Sequence, residues 1–259
     1  MEKEAQVLEK EAHILMGEEK SGEAYFLFKK AGDIYKDKGS HKEAALCLAS
    51  AASCWALKSG EKAFHNSSLA YEEAAEEALA AGDLEYASLL YRQAAINYER
   101  DMEFLSFSES FYHSREALRK FVTRSLINPK KIRHIGAGGI KRGESFGIVR
   151  RLFLCLSLTL SAFVWGHGER PTRTFFAALA LISLSALFYM NGNLMRAEQV
   201  IRPDFANALY FSVISFTTVG YGDFTPVGLT KLVAMIEVFC GIFIIPLFIV
   251  GLSRKYLRT

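Results

Sequence analysis

Hydrophobic and polar positions follow two different patterns along this chain. In residues 1–125 apolar positions recur every three to four residues, the spacing of a helix that buries one face. The same stretch contains no proline, which would interrupt a helix. Beyond residue 150 apolar residues form long uninterrupted runs, and such runs indicate segments inside a membrane. The pattern therefore predicts an all-α chain with a soluble half followed by a membrane half.

Turn signals divide the first half into helices of similar length. The glycines Gly39, Gly60 and Gly82 lie 21 and 22 residues apart. A helix of about 18 residues plus a short turn fits this period, so two helices form a repeat of roughly 40 residues. Alanines fall where neighbouring helices would approach closely, and aromatic residues would fill the gaps. We therefore expect a helical-repeat domain over residues 1–128 with about six helices.

Two stretches of this domain have a recognisable pattern. They are Ala31-Gly32-Asp33-Ile34-Tyr35 and Ala70-Tyr71-Glu72-Glu73-Ala74-Ala75. They resemble tetratricopeptide-type repeats, especially the variant in SNAP-like vesicle-fusion adaptors, over about 100 residues. The resemblance implies a surface that binds a peptide or protein ligand. An all-helical bundle without a binding role is the alternative.

Charge is distributed unequally between the two halves. Residues 1–128 contain 22 acidic and 16 basic residues, a net charge of −6, whereas residues 129–259 contain 6 and 15, a net of +9. The basic residues flank the apolar runs, as membrane topology requires, so we expect no binding of nucleic acid. The four cysteines form no C-x-x-C pair, so neither a disulfide framework nor a zinc site is expected.

A basic, glycine-rich linker and three apolar runs make up most of the second half. The linker, residues 129–151, matches no nucleotide-binding glycine pattern, and its cations are expected near anionic lipid headgroups. The runs 152–166, 174–190 and 229–252 contain 15, 17 and 24 residues. The last is long enough to cross the bilayer with tilt and the second is at the lower limit. The first is shorter than the hydrocarbon core of ~30 Å.

A short segment between the last two runs carries the chemistry. A half-length helix that starts after Pro203 and Asp204 leads into Thr218-Val219-Gly220-Tyr221-Gly222-Asp223. Irregular backbone at membrane depth is tolerated only where it is buried in protein or lines a polar cavity. Carbonyl groups of successive residues replace the water shell of K⁺ when they all point at one axis. This requires alternating backbone conformations, and Gly220 and Gly222 tolerate the left-handed ones.

The segment predicts both an ion site and the residues that support it. The K⁺-binding residues are expected to be Thr218, Val219, Gly220 and Tyr221. The supporting residues are expected to be Thr217, Gly222, Asp223, Tyr210, Phe211 and Glu237. Val219 and Tyr221 should turn away from the axis, with Tyr210 and Phe211 beside Tyr221. Since one chain supplies only one wall of the ion cage, we expect a homotetramer around a fourfold axis.

Glu237 is the acidic residue inside the last apolar run, where a charge is costly. It lies four residues before Gly241 and therefore on the same face of a helix. We expect it behind the ion-binding segment Thr218–Asp223, bonded to the region of Thr217. A position lining the pore is the alternative.

The sequence from Thr217 to Asp223 is similar to the filter signature of the two-transmembrane potassium channel family of prokaryotes. Tyr210-Phe211-Ser212 before it and Pro226 after it agree with that family. The resemblance covers residues 174–252. It implies a pore domain over 174–259 with an outer helix, a pore helix, a filter and an inner helix. Potassium ions are the implied ligand. Some members have a pore-helix glutamate that pairs with the aspartate after the filter, where this chain has Ile214.

The last apolar run contains three residues expected to form a gate. Gly241 occupies the position where the family commonly has a hinge glycine, and glycine weakens a helix locally. Pro246 removes one backbone hydrogen bond and should kink the helix. Gly251 follows near the exit. We predict that the helix bends between Gly241 and Pro246, with close helix packing at the glycines as the alternative.

Topology depends on the segment 152–173. The filter runs from Thr218 at its inner end to Asp223 at its outer end, so the last helix should end in the cytoplasm. Arg254, Lys255 and Arg258 there satisfy the positive-inside rule. If 152–173 is an interfacial helix and turn, residues 1–150 are cytoplasmic; if it crosses as an extra membrane helix, they are outside. Its short length and the preceding Arg150 and Arg151 favour the interface. We predict a multi-pass protein of the plasma membrane with both termini cytoplasmic.

These expectations lead to two functional hypotheses. The first is a homotetrameric, potassium-selective channel in the lipid bilayer, gated through its N-terminal helical domain. The alternative is a membrane-anchored helical-repeat adaptor that binds a partner protein. An enzyme is not expected, because His41, His65 and His113 lie on separate helices without carboxylate or cysteine companions at ligand spacing.

Overall fold

The computed structural model describes residues 2–58, 62–127 and 148–256. It divides into two compact units, Met1–Leu160 and Ser161–Thr259. Helices dominate both units, which confirms the predicted all-α class. Most of the predicted linker, the turn at Ser59 and Gly60, and the basic residue Arg258 lie outside the described residues.

The first unit is a succession of helices. Within residues 2–127 the structure describes six, the number that the turn spacing predicts. The helices that lie wholly in this unit are α1 (Glu2–Gly17), α2 (Ser21–Asp37), α3 (His41–Leu57), α4 (Ala63–Ala80), α5 (Leu84–Arg100) and α6 (Phe104–Ile127). A further helix, α7 (Ile148–Trp165), begins in this unit and extends past its last residue, Leu160.

Each of the helices α1–α6 packs against its neighbours in the chain, and small residues occupy the contacts. One buried cluster joins α1, α2 and α3 through Ala5, Ala31, Tyr35, Ala44 and Cys47. A larger cluster joins α3 to α6 and is made mostly of alanines, with Leu48, Leu90 and Tyr91 filling the space between them. Packing between successive helices is typical of helical repeats. The likeness to tetratricopeptide-type repeats stays a prediction.

Glycines with left-handed backbone end two of these helices. Gly39 and Gly82 both have φ +75°, a conformation that costs glycine little. The turn at Gly82 is followed by Asp83, whose side chain accepts a hydrogen bond of 3.1 Å from the backbone N–H of Tyr86. This N-cap starts α5.

The second unit combines long apolar helices with a small sheet. After a 3-10 turn at Gly166–Gly168 its elements are α8 (Pro171–Asn191), β1 (Asn193–Arg196), β2 (Gln199–Ile201), α9 (Phe205–Phe216), β3 (Thr225–Val227) and α10 (Leu229–Tyr256). The strands pair antiparallel in the order β2-β1-β3, with Leu194 opposite both Ile201 and Pro226. The sequence did not predict this sheet. It joins the chain before α9 to the chain after the filter segment.

Three helices of the described chain are long and apolar enough to cross a membrane: Ile148–Gly168, Pro171–Asn191 and Leu229–Tyr256. The first begins four residues before the predicted run, inside the segment predicted as linker, and so includes Arg150 and Arg151. At 18 residues α7 is about 27 Å long, so its length no longer favours the interface. Whether it lies in the interface or crosses stays a prediction.

Candidate functional site

The filter segment follows the half-length helix α9. The helix begins after Asp204, whose Oδ1 accepts a hydrogen bond of 3.1 Å from the backbone N–H of Asn207. It has 12 residues, about 18 Å, which is too short to cross a bilayer. Its C-terminal end, which carries partial negative charge, leads directly into Thr217 and Thr218 and favours a cation there.

The backbone of the filter segment alternates in handedness. Thr218, Gly220 and Gly222 have φ +61°, +53° and +82°, whereas φ is not positive at Val219 and Tyr221. The two glycines therefore adopt the conformation that the sequence predicts for them. An alternating backbone directs successive carbonyl groups to one side of the chain, as a row of ion ligands requires.

Thr218 has a left-handed backbone that the sequence did not predict. This conformation costs a non-glycine residue about 1–2 kcal/mol. Strain of this kind collects at ligand sites, where the surrounding structure holds the residue in place. The backbone N–H groups of Val219 and Gly220 donate to the carbonyl oxygen of Ile214 at 3.0 and 3.2 Å. These bonds fix the start of the filter segment to the last turn of α9.

The aromatic residues expected to support Tyr221 have other partners within the chain. Phe211 meets the ring of Tyr189 edge-on at 4.8 Å, and Tyr210 meets the ring of Phe224 at 6.0 Å. Tyr210 also lies near Tyr221, which is 72% exposed in a single chain. The expected packing of Tyr210 and Phe211 beside Tyr221 stays a prediction.

Polar and aromatic groups that the sequence did not single out together lie at the outer end of the segment. Tyr210, Tyr221 and Asp223 lie near one another there. The guanidinium of Arg196, on strand β1, lies 5.1 Å from the centre of the Phe224 ring. The Tyr210 ring and the Arg196 guanidinium thus both contact Phe224, the residue that follows Asp223.

Glu237 joins three helices of the second unit. It lies on α10, is 1% exposed, and accepts a hydrogen bond of 2.6 Å from the Tyr189 hydroxyl on α8. It also accepts hydrogen bonds from Ser212 on α9 and from Ser185 on α8. The expected bond to Thr217 is wrong, because the Thr217 hydroxyl donates to the carbonyl of Val213. The carboxylate is buried inside the unit, so it does not lie on the surface that the pore-lining alternative required.

Gly241 packs against the end of the pore helix. A Cβ atom at this position would lie 2.0 Å from the carbonyl oxygen of Phe216, closer than any real contact. Close helix packing, the alternative weighed for this glycine, is therefore present. The structure has α10 as one continuous helix with Pro246 inside it, and a hinge at these positions stays a prediction.

The end of α10 rests on the turn that precedes α8. A Cβ atom at Gly251 would lie 3.3 Å from Pro171. Arg254 pairs with Glu169 at 3.7 Å, and the Glu169 side chain is 7% exposed. The sequence did not predict this ion pair, because its two residues are far apart in the chain.

A comparison with protein families identifies this region. Residues 176–258 match the family model described as ion channel. This match supports an ion-channel domain. It covers most of α8, the sheet, α9, the filter segment and α10, and it agrees with a location in a membrane. Comparisons with curated proteins and with solved structures found no match.

Proposed function

We propose that the chain is one subunit of a homotetrameric potassium-selective channel. The observation that carries the proposal is the alternating backbone at Thr218, Gly220 and Gly222, in a loop between two candidate membrane helices. At membrane depth such a loop is tolerated only where it is buried in protein or lines a polar cavity. The K⁺ ligands are the main-chain oxygens of Thr218, Val219, Gly220 and Tyr221, with the Thr218 hydroxyl at the inner end.

The electrostatics of the loop favour a cation. No side-chain charge is needed at the ion site, because carbonyl oxygens replace the hydration shell. The C-terminal end of α9 adds partial negative charge at the inner end. Asp223 adds a carboxylate at the outer end, near the Tyr210 hydroxyl.

Exposure of apolar groups beside the filter supports an assembly of several copies. Val219 is 52% exposed and Tyr221 72% exposed in a single chain, although both would be costly to leave in water. Because one chain supplies one wall of the ion cage, closed fourfold symmetry completes the cage and covers these side chains.

Glu237 supports the filter from behind. Its hydrogen bonds to Ser212 and Tyr189 fix the pore helix to the helices on either side of it in sequence. Gly241 allows α10 to touch the last carbonyl of that helix. The filter therefore rests on a helix that is held by both membrane helices of its own unit.

Reconstitution of the full chain in liposomes tests the proposal. With K⁺ or Na⁺ as the permeant ion, we expect a K⁺ flux and little Na⁺ flux. Gly220→Ala should abolish the K⁺ flux, because it places a side chain on a left-handed residue of the filter. Gly228→Ala is the matched control: Gly228 has φ +70° and an added Cβ would meet no atom within 4 Å, but it lies outside the filter. Equal fluxes of the two ions, or full K⁺ flux through Gly220→Ala, would contradict the proposal.

We further propose that the helical unit regulates the pore from the cytoplasm, with the protein in the plasma membrane. The experiment compares the flux of the full chain with that of a chain lacking residues 1–128. Equal flux under all conditions would remove the regulatory role. The adaptor hypothesis places the function in partner binding. Binding of the partner should then survive Gly220→Ala, the change that abolishes the K⁺ flux.

A further inference from the structure

Three potential metal ligands come together in the first unit. His65 lies in the first turn of α4, Asp101 follows α5, and Glu103 precedes α6. One ligand atom of each residue lies within 4.8 Å of the others. The expectation that His65 has no carboxylate companion is therefore wrong. In the fold, the carboxylates of Asp101 and Glu103 lie beside it, in the turn between α5 and α6.

We propose that His65, Asp101 and Glu103 bind a divalent transition-metal ion such as Zn²⁺. One imidazole and two carboxylates form a donor set that Zn²⁺ and its first-row neighbours accept. The two negative charges balance the charge of the ion. Three protein ligands also leave a coordination position for water.

The arrangement of His65 and Glu103 differs from that of a simple hydrogen-bonded pair. Their Nδ1 and Oε1 atoms are 2.6 Å apart, yet the buried Nδ1 is not aligned to form a hydrogen bond. A hydrogen bond requires the donor to point at the acceptor. Two ligands of one metal ion lie close together without a hydrogen bond between them, and His65 and Glu103 share that feature.

A second histidine of the same unit provides the contrast. His41 Nδ1 lies 2.7 Å from Glu77 Oε2, and this pair is aligned as a hydrogen bond. The Lys36 ammonium also lies 3.6 Å from the Glu77 carboxylate, so a cation already stands beside that pair. His41 and Glu77 therefore form an ordinary polar contact.

Neighbouring groups orient the proposed ligands. The Ser106 hydroxyl donates to Glu103 Oε2 at 3.2 Å, which leaves Oε1 facing His65. The ring of Tyr98 meets the His65 ring edge-on, with centroids 6.1 Å apart. Groups that hold metal ligands in place in this way raise the affinity of a site.

A bound ion would fasten the start of α4 to the connection between α5 and α6. These two points lie at the same end of three successive antiparallel helices. The proposal concerns the helical unit and does not depend on ion conduction by the second unit.

Metal titration of the full-length protein in detergent tests the site. After treatment with EDTA, Zn²⁺ is added in a calorimeter and Co²⁺ in a visible absorption experiment. We expect one ion per chain and a higher melting temperature with Zn²⁺, because binding to the folded state stabilises it. His65→Ala and Glu103→Gln should each weaken binding at least about ten-fold, the size of effect known even for groups that only orient ligands.

His41→Ala is the matched control, since it removes another histidine that is paired with a glutamate. It should leave the affinity unchanged. The proposal is overturned if the wild-type chain binds Zn²⁺ only at millimolar concentration. Unchanged binding by both His65→Ala and Glu103→Gln, with circular dichroism showing that both are folded, overturns it as well.

Discussion

Glu73, which is partly buried, and Glu237, which is fully buried, show how differently the two units accommodate a carboxylate. Glu73, on α4, has the ammonium of Lys29 at 2.5 Å and that of Lys36 at 3.4 Å. The partners described for Glu237 are hydroxyl groups, from Tyr189, Ser212 and Ser185. The first unit thus uses cations near its surface, where water still screens them. The second uses neutral donors in a site that a membrane would surround.

The lysine partners of Glu73 also determine its pKa. Burial acts to raise the pKa of this carboxyl, but hydrogen bonds and charge from Lys29 and Lys36 outweigh it and hold the pKa below its usual range. In the first unit, stability therefore depends on pH through ion pairs. In the second unit, stability depends on whether each hydroxyl group around Glu237 has an acceptor, since a buried polar group without a partner is costly.

Truncation of Glu237 should have the largest effect. Glu237→Ala removes the acceptor of Tyr189 and Ser212 and leaves a cavity, so we expect a loss of about 3–5 kcal/mol in the second unit. Glu237→Gln keeps one acceptor oxygen and should lose less. Thermal unfolding of the reconstituted protein, followed together with K⁺ flux, measures both. An unchanged melting temperature in Glu237→Ala would contradict the claim that hydrogen bonds to Glu237 stabilise the second unit.

Glycine substitutions compare close packing in the two units. Gly241→Ala should cost roughly 2–3 kcal/mol, because its Cβ meets a backbone oxygen that cannot rotate away. Gly32→Ala, in the first unit, should cost less, because its Cβ would meet the flexible Leu48 side chain at 2.9 Å. Gly22→Ala, with no atom within 4 Å of its Cβ, is the control and should be neutral or stabilising. Melting temperatures in any other order would contradict this interpretation.

Lys29→Met tests the ion pair of the first unit. We expect a loss of about 1 kcal/mol at neutral pH, because both side chains are only partly exposed. The folded pKa of Glu73 is lowered, so its contribution is present above the unfolded pKa and is lost as pH falls. The effect of the substitution should therefore disappear in acid.

Unfolding in a Trp165→Phe background, where Trp55 is the tryptophan that remains, reports on this unit. The exposed neighbour Lys30→Met is the matched control and should have little effect. An equal loss at acidic and neutral pH would show that the loss does not come from the charge of Glu73.

Glu85→Gln should have a small effect of the opposite sign. Burial, with a smaller contribution from Asp83, raises the pKa of Glu85 to about 7. The folded state then binds a proton more readily than the unfolded state, so stability is lost as pH rises from about 4.5 to 7. The substitution should stabilise the unit by about 1 kcal/mol above pH ~7, after allowance for screening by water, and less at pH ~5. The same change at exposed Glu11 is the control.

The sequence predicted the features whose information lies in one continuous stretch. The left-handed conformation of Gly220 and Gly222 follows from the residues of the filter segment alone. The helices of the first unit follow from the spacing of turns such as those at Gly39 and Gly82. In both cases neighbouring residues determine the local backbone.

Features that depend on contacts between distant residues were not predicted. The strands β1, β2 and β3 have only three or four residues each, and their pairing joins segments on either side of α9. The partners of Glu237 depend on the rotation of three helices about their axes, so Thr217 was chosen and Ser212 missed. The carboxylates near His65 belong to Asp101 and Glu103, in the turn between α5 and α6. Helical periodicity does not predict that this turn lies beside the start of α4.

The small sheet has a consequence for assembly. Because β1 pairs with β3, backbone hydrogen bonds within a single chain close the loop that contains α9 and the filter segment. The entropy lost on closing that loop is then a cost of folding the single chain. In the proposed tetramer, each copy would therefore form its own wall of the ion cage before it meets another copy.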